Sequence, residues 1–250
     1  MAESSGGSMQ FERIRVEPAY RRVAAQIAAR IHDRSLNEGD ALATELELAA
    51  QFEVTRSTLR EALRELESQG LLERRRGTKR MVVTRPSAVT LVTQLSNALA
   101  LHDVTVQEVW EALTILQPPI AERAARRYNA AQLAQIDAAV AAFAASGNTA
   151  QAIAAVSSFF DALDTAAGNR ALMLAQRPLL PLLESSLTLM MDRVPQARSR
   201  IALAQRRLRA AIVQGDAVTA REWMAKHIRD FRRGFEVAGI DLSTGVARNS

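Results

Sequence analysis

Three arginines four residues apart, Arg56, Arg60 and Arg64, place their guanidinium groups on one side of a helix. Five further cations, Arg74, Arg75, Arg76, Lys79 and Arg80, crowd the turn around Gly77. A guanidinium fork matches the oxygens of a phosphate, and so dense a cluster repels itself unless a polyanion meets it. From Thr55 to Arg85 there are nine Lys or Arg against four Asp or Glu, while the whole chain carries only +5. The basic surface is therefore local, and duplex DNA is the polyanion it suits. A solvated helix face would explain the helix arginines alone; the cationic hairpin that follows favours DNA. Elsewhere, chemistry-bearing residues are sparse. There is no Cys, so disulfides, thiolate metal sites and cysteine catalysis are excluded. His32, His102 and His227 are the three histidines; His32 and His102 belong to no constellation and read as surface residues. No nucleophile elbow or phosphate-binding loop is present. Catalysis on the C-terminal half is a remote alternative.

The elements that must hold these groups follow from apolar spacing. Leu59, Ala62, Leu63 and Leu66 recur at i, i+3, i+4 and i+7, which predicts a helix over about Arg56–Gln69 with that stripe inward. Thr55 is placed to cap it, with Val54 and Leu59 spaced as a hydrophobic staple. Thr55, Arg56, Ser57 and Thr58 then gather at the helix N-terminus, where helix-turn-helix proteins present side chains to base edges and amides to phosphate. Ahead of it, Thr44-Glu45-Leu46-Glu47 has the form of a capping box opening a short helix to about Phe52. Behind it, Gly70 is a stop, and Leu71–Arg75 with Arg80–Thr84 read as two strands of a wing. A preceding helix from Pro18, with Tyr20, Val23, Ile27 and Ile31 at helical spacing, would buttress the pair, and Asn37–Asp40 is a turn.

The organisation read from the chain is a Ser/Gly-rich flexible arm over 1–15, a winged helix-turn-helix DNA-binding domain over 16–85, an antiparallel helical bundle over 87–238 and a frayed tail over 239–250. The fold class is mostly α with a small β-hairpin wing. In the bundle, Leu91, Val92, Leu95 and Leu99 form one stripe, and Ser87 is available to cap its helix. Val106–Tyr128 is long and interrupted by Pro118-Pro119, which should kink it. Ala130–Ala145 and Thr149–Ala167 follow, then a helix disturbed by Pro178 and Pro181. Two long helices, about Pro195–Gln214 and Asp216–Ala238, close the unit around Gly215. Short connections predict antiparallel neighbours. Hydrophobic content of 48% with 24% charged residues fits a globular protein. No stretch of eighteen apolar residues and no signal-peptide pattern is present, so a cytoplasmic protein with no membrane partner is expected.

At these residues the sequence resembles the GntR family of bacterial transcription regulators. The pattern covers Gly39-Asp40, Leu42, Thr44-Glu45, Leu48-Ala49, the run Val54–Leu63, then Leu66, Gly70-Leu71 and Gly77. The resemblance implies DNA contacts from Thr55, Arg56, Ser57 and Arg60, and a wing whose Arg76 and Gly77 enter the minor groove. Thr44, Thr58, Arg75 and Lys79 complete the expected DNA face. Many members carry a basic residue where this chain has Leu46, and a second wing glycine is missing. The second half resembles, more weakly, the FCD domain of the FadR-type branch, through Ala124-Ala125, Phe159 with Gly168-Asn169, Ala211-Ile212 with Gly215-Asp216, and Met224 with His227. Such domains dimerise and bind a small effector, and many hold a metal through one Asp and three His. Counting from Asn169 and Gly215, those positions fall on Val156, Phe160, Gln205 and His227. Only His227 can serve as a strong ligand, so no metal and no cofactor is expected.

An apolar effector pocket is therefore expected around Gln117, Val156, Phe160, Gln205 and His227, suited to an acyl thioester or lipid-like acid. Gln205, His227 and an arginine that the sequence does not single out would hold its polar end. The opposite reading stays open with equal weight: Val156 and Phe160 fill the former cavity, and the regulator is blind to ligands. The expected protein is a homodimeric, sequence-specific repressor on a palindromic operator.

Overall fold

Helix α3 (Arg56–Ser68) is built as its spacing predicts: Leu59, Ala62, Leu63 and Leu66 are buried, while Arg56, Arg60 and Arg64 are exposed. It packs against α1 (Ala19–His32), whose Val23, Ala24 and Ile27 are buried, and against α2 (Glu45–Gln51). The computed structural model describes residues 17–75 and 80–246, so the arm expected over 1–15 and the wing residues Arg76, Gly77 and Lys79 lie outside the described residues. Each end of the helix pair is fixed by local chemistry. Thr44 caps α2 in a full capping box: its hydroxyl accepts from Glu47 N at 3.3 Å, and its own N–H donates to Glu47 Oε2 at 2.8 Å. At the other end of α2, Glu53 takes a left-handed φ of 54°, and Val54 N donates to Ala49 O at 3.0 Å. That turn conformation ordinarily falls to glycine. Gly70 occupies the equivalent place after α3, with φ 70° and Leu71 N donating to Leu66 O at 3.0 Å.

Strands β1 (Leu72–Arg74) and β2 (Met81–Val83) pair antiparallel with Leu72 opposite Val83 and Arg74 opposite Met81. Ala41 bridges Val82 as a minimal third strand. Leu72, Met81 and Val83 turn into the core shared by α1–α3, so the hairpin is anchored by three apolar side chains at its base.

The chain divides into two units, Met1–Ser87 and Ala88–Ser250. The second unit is helical among its described residues: α4 (Ala88–Leu101), α5 (Val106–Arg127), α6 (Ala130–Ala145), α7 (Thr149–Ala167), α8 (Arg170–Gln176), a 3-10 turn at Pro181–Leu183, α9 (Glu184–Arg193), α10 (Ala197–Val213) and α11 (Ala217–Val237). Caps mark the starts: Thr105 and Asn129 form capping boxes, and Asn148, Asn169 and Asp216 each accept from the first turn. α7 runs through the middle of the bundle, with Val156, Phe159, Phe160 and Leu163 all almost fully buried.

Three expectations are corrected here. The helix containing Pro118-Pro119 is not interrupted: α5 continues through both. Two amide donors are lost, but Leu113, Gln117, Pro118, Ile120 and Ala121 are buried, and that packing holds the helix together. The stripe Leu91, Val92, Leu95 and Leu99 is not buried; α4 has no buried residue, and Leu91 and Leu95 are 39% and 44% exposed. The segment after Gly239 is not frayed as far as it is described. Val106 N donates to Thr244 O at 3.1 Å, Gln107 N to Leu242 O at 2.9 Å, and Val246 N to Val104 O at 2.8 Å. The returning chain thus satisfies two of the orphan donors that begin α5, and Val246 is buried beside them.

Candidate DNA-binding face and bundle-core site

The N-terminus of α3 carries a compact hydroxyl cluster. Thr55 Oγ1 lies 2.8 Å from Ser57 Oγ and 2.9 Å from Thr58 Oγ1, and it accepts from Thr58 N at 3.2 Å. Thr55, Arg56 and Ser57 are exposed there. The cap leaves Ser57 and Arg56 side chains at the surface, next to the positive end of the helix dipole. One turn on, Arg60 Nε donates to Glu45 Oε2 at 2.8 Å, and Arg74 Nη2 reaches Glu45 Oε1 at 3.4 Å. Glu45 therefore ties α2, α3 and β1 together, and Arg60 and then Arg74 hold its carboxyl below the usual range against the opposing effect of burial. Ion pairs this exposed contribute at most about 1 kcal/mol; their use is to orient two guanidinium groups on one surface. Arg56 and Arg64 make no ion pair among the described residues. Thr44 is half-buried with its hydroxyl committed to Glu47, so its role is to cap α2. Arg75 is exposed at the end of β1. Leu46 is 58% exposed beside Glu45, an apolar patch on an otherwise charged face.

The second set of residues is buried inside the bundle. Gln117 on α5, Val156 and Phe160 on α7, Gln205 on α10 and His227 on α11 are all at most 1% exposed. The Phe160 and His227 rings stack, with centroids 5.9 Å apart and planes 6° from parallel; Phe231 packs on His227 at 4.5 Å. Burial pushes the His227 imidazole down to about 4, so it is neutral near pH 7. Among the described residues no three His, Cys, Asp or Glu side chains gather as metal ligands. Polar atoms remain without partners: His227 Nε2, both amide atoms of Gln205, and Gln117 Oε1. Buried polar atoms without a partner cost free energy.

Two openings end at the stacked pair. One, of about 130 Å³, lies between α9, α10 and α11 and has His227 and Phe231 in its lining. The other, of about 170 Å³, lies among α4, α7 and the Pro181 turn and has Phe160 in its lining. His227, in the lining of the first, stacks on Phe160, in the lining of the second.

A polar chain missed from the sequence runs beside the second opening. Gln117 Nε2 donates to Gln176 Oε1, and Gln176 Nε2 donates to Asp164 Oδ2. Asp164 is 2% exposed. Burial pushes its carboxyl up to about 8, outweighing Gln176 and Arg177; the Arg177 Nε is 3.7 Å from it but only 3.0 Å from Asp161. A signal was present, since Asp164 follows Val156 and Phe160 at the same four-residue step. Gln176, in another helix, gave none.

Comparison with known proteins decides the family. Residues 19–82 match the model described as "Bacterial regulatory proteins, gntR family", and residues 108–230 match the FCD domain. The chain belongs to the GntR family. Over 62 residues it is 44% identical to the mannosyl-D-glycerate transport/metabolism system repressor MngR of Escherichia coli K12, covering 25% of this chain and 26% of that protein. Over 74 residues it is 40% identical to the HTH-type transcriptional repressor NanR of Cronobacter sakazakii, covering 30% and 28%. The chain thus matches well under a third of the length of these curated relatives. A solved Streptococcus agalactiae GntR protein is similar over 86% of this chain and 99% of its own, at 26% identity and a TM-score of 0.59. The GntR-family unit is therefore a helix-turn-helix carrying the arginine face, and the FCD domain is the bundle around His227.

Proposed function

We propose that this protein is a DNA-binding transcription regulator, a repressor of the FadR-type branch, acting as a homodimer in the cytoplasm. The observation that carries the reading is the exposed face formed by Arg56, Arg60, Arg64 and Arg74 around the hydroxyl cluster of Thr55, Ser57 and Thr58. Arginine forks at that position suit guanine edges and phosphates, and two copies would read the halves of a palindromic operator. Arg75, Arg76, Gly77 and Lys79 would carry the wing contact. The part-exposed Leu91 and Leu95 of α4 support self-association, which would cover them.

We further infer that the FCD bundle senses a small molecule without metal. Unpartnered His227 Nε2 and Gln205 amide atoms support a ligand there, while Val156 and Phe160 at the expected ligand positions speak against a metal. The effector would act by preferring one of two arrangements of the DNA-binding units. Openings of about 130 and 170 Å³ favour a smaller acid than the acyl thioester expected from sequence.

Incubating the purified protein with fragments of its own genome tests the reading. Retention of discrete promoter fragments, lost in the Arg56→Ala variant, supports it; indiscriminate or absent retention contradicts it. Metal analysis of the same preparation should find no stoichiometric zinc, manganese or nickel.

A further inference from the structure

The cleft between α9, α10 and α11 has a polar rim and an apolar floor. Arg200 and Arg233 stand exposed on the rim and make no ion pair among the described residues. Asp230, half-buried, is the third charged group there. Two cations and one anion leave the rim with a net charge of +1. Met190, Ile201 and Phe231 supply the walls, and Gly234 lets α11 approach α9 so closely that an added Cβ would meet the Met190 sulfur. At the inner end lies His227, 1% exposed, with Nε2 lacking any partner. Gln205, whose amide atoms are also unpartnered, sits one turn beyond Ile201 on α10.

We propose that this cleft binds a small monocarboxylate with an apolar body, and that Arg200 and Arg233 are the residues that hold its carboxylate. Volume selects the size. A cavity of about 150 Å³ accommodates a benzene ring, and this one measures about 130 Å³. Charge selects the head group. A single carboxylate neutralises the rim, whereas a dicarboxylate leaves an excess negative charge beside Asp230 and brings a second ionised group against Met190 and Phe231. The apolar walls select a ring or short chain, and neutral His227 offers one hydrogen bond to a substituent at the far end. The Phe160 ring stacks on His227 at the inner end. This deepens the sensor reading and rests on the bundle being a ligand-binding domain.

Calorimetric titration of the full-length protein with benzoate, hexanoate, benzamide and succinate tests the proposal. Benzoate or hexanoate should half-saturate below about 1 mM, with benzamide and succinate at least tenfold weaker. Arg200→Gln and Arg233→Gln should each weaken the carboxylate at least tenfold at unchanged melting temperature, while the exposed Arg206→Gln changes nothing. Equal binding of benzoate and benzamide, insensitivity to both arginine variants, or no heat from any probe at millimolar concentration would overturn it. Operator affinity measured with and without benzoate separates the two claims. Binding that leaves operator affinity unchanged supports the cleft and sinks the sensor. Release by another metabolite, with benzoate and hexanoate inert, sinks the cleft assignment alone.

Discussion

The two units treat polar groups in opposite ways. In the first, α3 buries only Leu59, Ala62, Leu63 and Leu66 and leaves its arginines in water, ordered lightly by Glu45. In the second, α7 carries Asp164 into the core, and Gln117, Gln176, Gln205 and His227 are buried with it. The exposed face loses little by waiting for a partner, because hydrated guanidinium groups are stable in water. The buried groups are costly if left unpaired. The two units therefore differ in where unsatisfied polarity is kept, at the surface in the first and in the core in the second.

The largest test of that contrast is Phe160→Ala. It deletes a fully buried ring of the bundle core and should cost about 3–5 kcal/mol, or roughly 10 °C in thermal unfolding, while leaving the DNA face untouched. Melting within a degree or two of wild type would mean that the stack is not part of the core. Next, Arg56→Ala or Arg60→Ala should each weaken operator binding by about 1–3 kcal/mol with no loss of helix content. Arg76→Ala should flatten the salt dependence of binding by about one unit of slope.

Asp164→Asn sharpens the comparison through pH. The folded chain keeps a proton on Asp164 up to about pH 8, whereas the unfolded chain releases it near 3.8, so this group's contribution to stability is full below about 3.8 and lost as pH rises through 8. His227 acts in the other direction: folded near 4 and unfolded near 6.5, it contributes stability above 6.5 that is lost as pH falls toward 4. The two oppose one another between about 4 and 6.5, and Asp164 acts alone between 6.5 and 8. The Asn variant should therefore flatten the decline in melting temperature between pH 6.5 and 8; an unaltered decline would assign it to another group. The smallest effect is Glu53→Gly, which relieves a left-handed φ of 54° and should stabilise by at most about 1 kcal/mol in chemical denaturation.

Much of the first unit was legible because its signals are local. The caps at Thr44 and Thr55, the stripe of α3 and the stop at Gly70 each depend on neighbours within a turn or two. The bundle was legible as helices but not as packing. Periodicity marked α4 as amphipathic without saying how deeply the chain buries its stripe, and Leu91 and Leu95 stay part-exposed among the described residues. Pro118-Pro119 argued for a break that burial of their neighbours overrides. The tail was misread because its hydrogen bonds go to residues 104–107, far away in sequence. Val156, Phe160, Gln205 and His227, expected to line a pocket, are all buried. Arg200 and Arg233 were not singled out, since α10 and α11 bring them to one rim only through tertiary packing. The wing residues Arg76, Gly77 and Lys79 remain part of the proposal.

The central claim is that the arginine face of α3 reads duplex DNA, and a salt series tests it most directly. Affinity for a retained genomic fragment and for an unrelated duplex should be measured for the full-length protein and for the Arg56→Ala/Arg60→Ala double variant. The account predicts a clear preference for the retained fragment and a steep loss of affinity with salt, with both reduced in the double variant at unchanged folding. A double variant that keeps the same preference and the same salt slope would contradict it.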